Sequence, residues 1–253
     1  RISLISFFVV LIAFSTTVHS AETTVVSPDQ LRELIYDGDI NALETELADA
    51  QALLEAGSIS EDEVRALFAV FGGTHPDVIS LTRGWLKARP NSPFAHIAMA
   101  WILNKAGWIV RGTKYARDTH PDAMRSHNVL HSEALSHAIT AYEMNPKMIA
   151  ASDAIIMMAN TGGNKPLSFE VFHMTMQDTP NWGTLSRAFV FGHPGYGGSI
   201  ELGMSICEEY APLVDIGKRD ATSDCKIQFL VELRNFQNWP SLALVYIDQQ
   251  ESS

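Results

Sequence analysis

The sequence predicts an all-α protein of stacked antiparallel helix pairs that curve into an α-α superhelix. Three observations predict it. Leucines and isoleucines recur at largely three- and four-residue steps from Leu31 onward, the spacing of one helical face. Alternating apolar and polar runs and Asn-Gly turns, the marks of strands and hairpins, are missing. Prolines that end apolar helical runs recur at near-constant intervals, Pro180 falling 34 residues after Pro146 and Pro212 a further 32 on.

The chain opens with Arg1, the apolar run ISLISFFVVLIAF and the small-residue stretch STTVHSAE. A cation, a short apolar core and small residues at Val18 and Ser20 describe a secretory signal peptide over residues 1–20, cut near Ser20/Ala21. The run is short for a membrane span of about 20 residues, and an uncleaved anchor is the alternative. The missing initiator Met implies a longer N-terminus. Residues 21–29, AETTVVSPD, read as a polar tether. From Gln30 one helical run carries Leu31, Leu34, Ile35, Leu43, Leu47, Leu53 and Leu54 and ends at Gly57. Ser60 caps a second helix, with Glu63 completing a capping box. Thr74-His75-Pro76 opens a third, closed by Pro90.

Composition limits the partners. The 253 residues carry a formal charge of −11 and a pI near 5.2. An acidic surface repels phosphate backbones and anionic lipid, so nucleic acid is not expected as a partner. No segment after residue 20 approaches a membrane-spanning length without charges, so no stable membrane insertion is expected after signal cleavage. Cys207 and Cys225 are the two cysteines. In an exported chain they most simply form a disulfide; two buried free thiols are the alternative.

The proline interval supplies the repeat. A period of 34 residues is that of tetratricopeptide-type (TPR) helix pairs, and EALSHAITAYEMNP is the best single match, with Ala134 and Ala141 where two helices approach closely. The following unit, from Lys147 to Pro180, keeps the helix–turn–helix shape with Ser and Thr at the small positions, and the preceding unit carries an insertion. The expected organisation is a TPR-like domain over 30–215 and a C-terminal helical extension over 216–253.

WLKARPNSPFAHIAMAW, AGWIVRGTKYARDT, ALSHAITAYEMNP and HPGYGGSIELGMSICEEYA together resemble a bacterial domain-of-unknown-function family with TPR-like helices, over roughly residues 60–215. The shared pattern is a Trp-Leu-x-x-x-Pro-x-Ser helix join, a Trp-x-x-Arg-Gly segment and a Trp-Gly-Gly-Ser turn. This chain departs from it at Tyr196, where Trp is usual, and at Pro194-Gly195, where the family has Pro-Arg. That family has no established activity, so the resemblance implies fold more than function.

The candidate chemistry centres on HPDAMRSHNVLHSEALSHA, residues 120–138, with four histidines. On a helix His120, His127 and His131 lie within about 20° of one line, and the i,i+4 pair His127/His131 has a spacing that can hold a metal. The same line runs on through Ala134, Ala138 and Ala141, toward the interior or a groove, and Pro121 separates His120 from the helix. The alternative to a metal site is a pair of hydrogen-bonded groove histidines. His75 and His96 are further histidines able to approach. In GHPGYGGSIELG, Tyr196, Gly197 and Gly198 precede a helix capped by Ser199, either exposing backbone N–H groups to an anion or simply making a turn. Arg111 and Gly112, with Trp108 and Tyr115, either clamp a carboxylate or peptide terminus or cap helix carbonyls. Trp85 and Trp101 read as core. Catalytic motifs such as Gly-x-Ser-x-Gly, His-Glu-x-x-His and Cys-x-x-Cys are missing, so no catalytic residue and no cofactor is expected. The expected function is a periplasmic or secreted protein- or peptide-binding module that takes its partner in a concave groove lined by Arg111, Tyr115, His127 and His131. A metal-dependent or histidine-based enzyme or a metal-binding protein at His127 and His131 is the alternative.

Overall fold

The computed structural model describes residues 25–235 except 115, 216 and 218. All regular structure among them is helical. The signal peptide expected over residues 1–20 lies outside the described residues, as do 236–253 of the expected C-terminal extension.

Helix α1 (Pro28–Asp37) starts inside the expected tether, because Ser27 and Gln30 form a capping box and Pro28 takes the first helical position. It does not run on to Gly57. Gly38 adopts φ 73°, and Asp39 accepts from the Ala42 N–H to start α2 (Ile40–Glu55). The leucine spacing continued across this break and hid it. Helix α3 (Glu61–Phe68) has the expected Ser60–Glu63 capping box and tightens into a 3₁₀ turn at Ala69–Gly72. Helix α4 (Pro76–Ala88) follows, capped by His75.

Helices α5 (Pro93–Arg111) and α6 (Pro121–Met144) form a long antiparallel hairpin, with His96 opposite His137 and Trp108 opposite His127. The small-residue seam of α6 allows the approach: Ala134, Ala138 and Ala141 are fully buried. Helix α7 (Ile149–Thr161) is buried at every residue from Ile149 to Asn160 except Met157. It packs against α3, α5, α6 and α8 (Lys165–Asp178), the last antiparallel to it through a Ser168 hydroxyl on the Ile156 carbonyl. The expected 34-residue unit from Lys147 to Pro180 is this α7–α8 pair.

Between Pro180 and Pro212 the chain is more broken than the repeat implied. It makes short α9 (Trp182–Arg187) and α10 (Phe189–Gly192), a 3₁₀ turn at Pro194–Tyr196, and α11 (Ile200–Tyr210). Gly192 and Gly203 are what let α10 and α11 touch, since a Cβ on either would strike the other's backbone or the Phe229 ring. Helix α12 (Ala221–Asn235) returns along α11, joined by the Cys207–Cys225 disulfide with its Cα atoms 5.5 Å apart and by Lys226 Nζ at 2.7 Å from Glu208 Oε1. Among the described residues no helix is long and apolar enough to cross a membrane.

Candidate functional site

Four of the residues expected at a site form one column between α5 and α6. The Cζ of Arg111 lies 5.0 Å from the Trp108 ring centre. The Trp108 ring is 4.9 Å from that of His127, which stacks on His131 at 5.2 Å and 29°. Gly107 makes room for this column, because a Cβ there would sit 3.2 Å from His127 Nδ1. His131 Nε2 lies 2.8 Å from the Met158 carbonyl oxygen. That oxygen can only accept, so the His131 proton sits on Nε2. Thr161 Oγ1, 3.0 Å from the same nitrogen, therefore faces an N–H and not a base.

Burial disfavours charge on His127 and holds its pKa below the ordinary value. A contact toward the Gly107 backbone opposes this, and the neighbouring His131 and Arg111 add to it. Among the described residues no set of three His, Cys, Asp or Glu side chains is placed to hold a metal ion.

The column backs onto a pocket of about 280 Å³ between α5, α7, α9–α10 and α12. Its walls are Trp108, Met157, Phe189, Val190, Tyr196, Phe229 and Leu233, with Asn104, Thr161, Ser186, Arg187, His193 and Glu232 as polar members. Tyr196 packs on His193 at 5.2 Å. Burial pushes the Tyr196 hydroxyl's pKa up, and the charge of Arg111 pulls it partly back. Asn104 is 9% exposed, and its Oδ1 has no hydrogen-bond partner among the described residues. The Ser186 hydroxyl donates to the Gly183 carbonyl at 2.8 Å and that of Thr161 to Met157 at 3.0 Å. Both hydroxyls are thus turned to their own helices, which leaves them as acceptors toward anything in the pocket. The arrangement can bind an apolar group and orient it by a few polar contacts. It shows no activated nucleophile.

The other expected residues fall elsewhere. Gly112 is exposed and ends α5 with φ 75°. Tyr115 lies outside the described residues. Gly197 takes φ 75° and offers its carbonyl to Lys165, while a Cβ on Gly198 would overlap the Phe191 carbonyl, so these two glycines shape the turn. His120 caps α6 through the Asp122 N–H and leaves the histidine line. His75 packs edge-on against Tyr36, and His96 pairs instead with His137, their Nδ1 atoms 2.8 Å apart.

Of the pocket's second wall the sequence points to Tyr196 alone, and it does not reveal the parts on α9, α10 and α12 or the polar knot beneath them. Arg65 on α3 donates from Nε to Asp153 Oδ2 at 2.7 Å, and from Nη2 to Asn181 Oδ1 at 2.8 Å and Thr184 Oγ1 at 3.0 Å. The Thr184 hydroxyl is also 3.0 Å from Asp153 Oδ1. Burial alone would lower the Arg65 pKa, but Asp153 and Asp62 more than offset it and leave it raised. The signal was present in the chain: Asp153 is the one acid in the apolar run from Ile149 to Asn160, and a buried acid needs a cation.

The family model described as a domain of unknown function (DUF4034) matches residues 26–168, more than half of the chain. The chain belongs to this family. The DUF4034 match takes in α1–α7 and stops short of the pocket's second wall, so Asn104, Trp108, Met157 and Thr161 come from within it and Arg187, Tyr196 and Phe229 from beyond it. No curated protein and no solved structure matches the chain.

Proposed function

We propose that this DUF4034 protein is an exported binding module whose helix pairs stack as a TPR-like superhelix, and that it holds a peptide or protein partner by an apolar anchor group. The pocket beside Trp108 carries this reading: aromatic and aliphatic walls from four parts of the fold surround a few fixed polar groups, which is the composition of a ligand site. The signal-like residues 1–20 and a disulfide-bonded cysteine pair are what support export. A periplasm or the medium is the expected location, and intact mass of the secreted chain should start at Ala21. Helical solenoids typically bind extended peptides or partner proteins in their concave face.

The binding test is a titration of the purified chain with short peptides carrying a single Leu or Phe, compared with a Val190→Trp variant that fills the pocket. Binding by the natural chain and its loss in a folded Val190→Trp variant are expected. Equal binding by both would remove the pocket from the reading. The enzyme alternative at His127 and His131 is tested separately by elemental analysis, where stoichiometric zinc or copper lost in His131→Ala would replace the binding reading.

A further inference from the structure

A binding module needs a ligand, and the charges around the pocket narrow its chemistry. Arg187 lines the pocket at the end of α9 with its Nε 3.9 Å from Asp153 Oδ2. That carboxylate is already held by Arg65 at 2.7 Å and by the Thr184 hydroxyl at 3.0 Å. The terminal nitrogens of Arg187 have no hydrogen-bond partner among the described residues. Arg111, over the neighbouring Trp108, brings a second positive charge close enough to act on Tyr196. In a chain of formal charge −11 this is a locally cationic spot on an acidic protein.

Resting on the binding function proposed for this pocket, we propose that it receives the carboxyl-terminal residue of a peptide. The terminal carboxylate sits on Arg187, and an apolar last side chain lies among Phe189, Val190, Phe229 and Leu233. A guanidinium edge matches a carboxylate through paired N–H donors, as an ammonium does not. Asn104 lines the pocket with its buried Oδ1 lacking a donor, and a turn of its side chain into the pocket lets that oxygen accept the amide N–H that a peptide has and a free fatty acid lacks. Pockets for drug-sized molecules run upward from about 300 Å³, and about 280 Å³ suits one residue. Glu232, exposed at the same opening, disfavours an acidic residue just upstream.

The test is calorimetry on the whole chain with three probes: acetyl-Ala-Ala-Leu as the free acid, the same tripeptide as its C-terminal amide, and octanoate. The acid should bind, the amide about tenfold or more weakly, and octanoate more weakly than the tripeptide acid. Arg187→Gln should bring acid and amide together, while Arg187→Lys keeps part of the preference. Acid and amide binding alike to the natural chain would overturn the carboxylate assignment and leave the binding module standing. Octanoate binding more tightly than the tripeptide acid would overturn the peptide assignment. No binding by either peptide would overturn both the carboxylate assignment and the binding module. The acid–amide comparison on the unaltered chain decides the matter even where an Arg187 variant does not fold.

Discussion

Arg65 Nε and Asp153 Oδ2, 2.7 Å apart, tie α3 to α7, which is buried along nearly its whole length. The acid's side chain is 2% exposed, its Oδ1 accepts from the Thr184 hydroxyl at 3.0 Å, and Arg187 Nε lies 3.9 Å from its Oδ2. A pair so enclosed adds little net stability when intact, but removing one partner strands the other's charge. Asp153→Ala should therefore cost about 3–5 kcal/mol, read from urea unfolding midpoints. Asp153→Leu with Arg65→Leu should cost less than the two single changes added together. A loss under about 1 kcal/mol for Asp153→Ala would show that water reaches the site and the tie is superficial.

Gly183 belongs to the same tie, since a Cβ there would overlap the Arg65 guanidinium. Gly183→Ala should lower stability by about 1–3 kcal/mol, the usual cost of overpacking, and Arg65→Lys in the same chain should relieve part of it by withdrawing the planar head. No recovery in the double variant would place the strain elsewhere.

The helical class and most helix starts were legible because caps are local: Ser60 with Glu63 and His75 before Pro76 act within a few residues of themselves. The break at Gly38 was not, because the apolar spacing of Leu34, Ile35 and Leu43 passes through it. Trp108, Arg111, His127 and His131 were readable as a group because they occupy facing ends of one hairpin. Arg187 and Asn104 were not, for their meaning depends on α7 and α12 folding back over them, and no spacing along the chain encodes that return.

The buried histidines make acid the weak side. Desolvation first, then a neighbouring imidazole, holds His127 and His137 below their ordinary pKa, and burial does the same for His193. His127 faces Trp108, Arg111 and His131; His137 faces His96 and Glu133. A depressed histidine pKa means that the unfolded chain binds more protons between the folded value and about 6.5. Stability is then full above about 6.5 and falls as pH drops through the window beneath it. Melting temperature should fall by several degrees from pH 7.5 to pH 5.5 and change little from 7.5 to 8.5. His127→Gln should shrink the drop, and a flat profile in the natural chain would contradict it.

The disulfide closes an 18-residue separation between α11 and α12, worth about 3 kcal/mol on the chain-entropy account. Because α12 supplies Phe229, Glu232 and Leu233 to the pocket, reduction should loosen that wall before the α5–α7 core. Reductant is expected to lower the melting temperature and to raise hydrogen exchange in α12 first. Unreduced protein with two free thiols by mass spectrometry would refute the bond.

Gly203 tests whether that wall is held by close contact and not by the disulfide alone. Its Cα position lies against Gly192 and the Phe229 ring, and a Cβ added there would overlap the ring atoms directly. The tip of the same ring also lies close to Gly192, so a methyl at Gly203 is accommodated only by moving the ring or by parting α11 from α12. Either movement disturbs the pocket that Phe229 lines. Gly203→Ala should therefore destabilise by about 1–3 kcal/mol and alter the pocket, seen as shifted ring resonances for Phe189, which packs on Phe229 at 5.6 Å. Phe229→Leu added to Gly203→Ala frees the space the methyl needs and should recover part of the loss, although Phe229→Leu alone costs stability by leaving a cavity. Losses that simply add would mean that Gly203 and Phe229 do not share this contact.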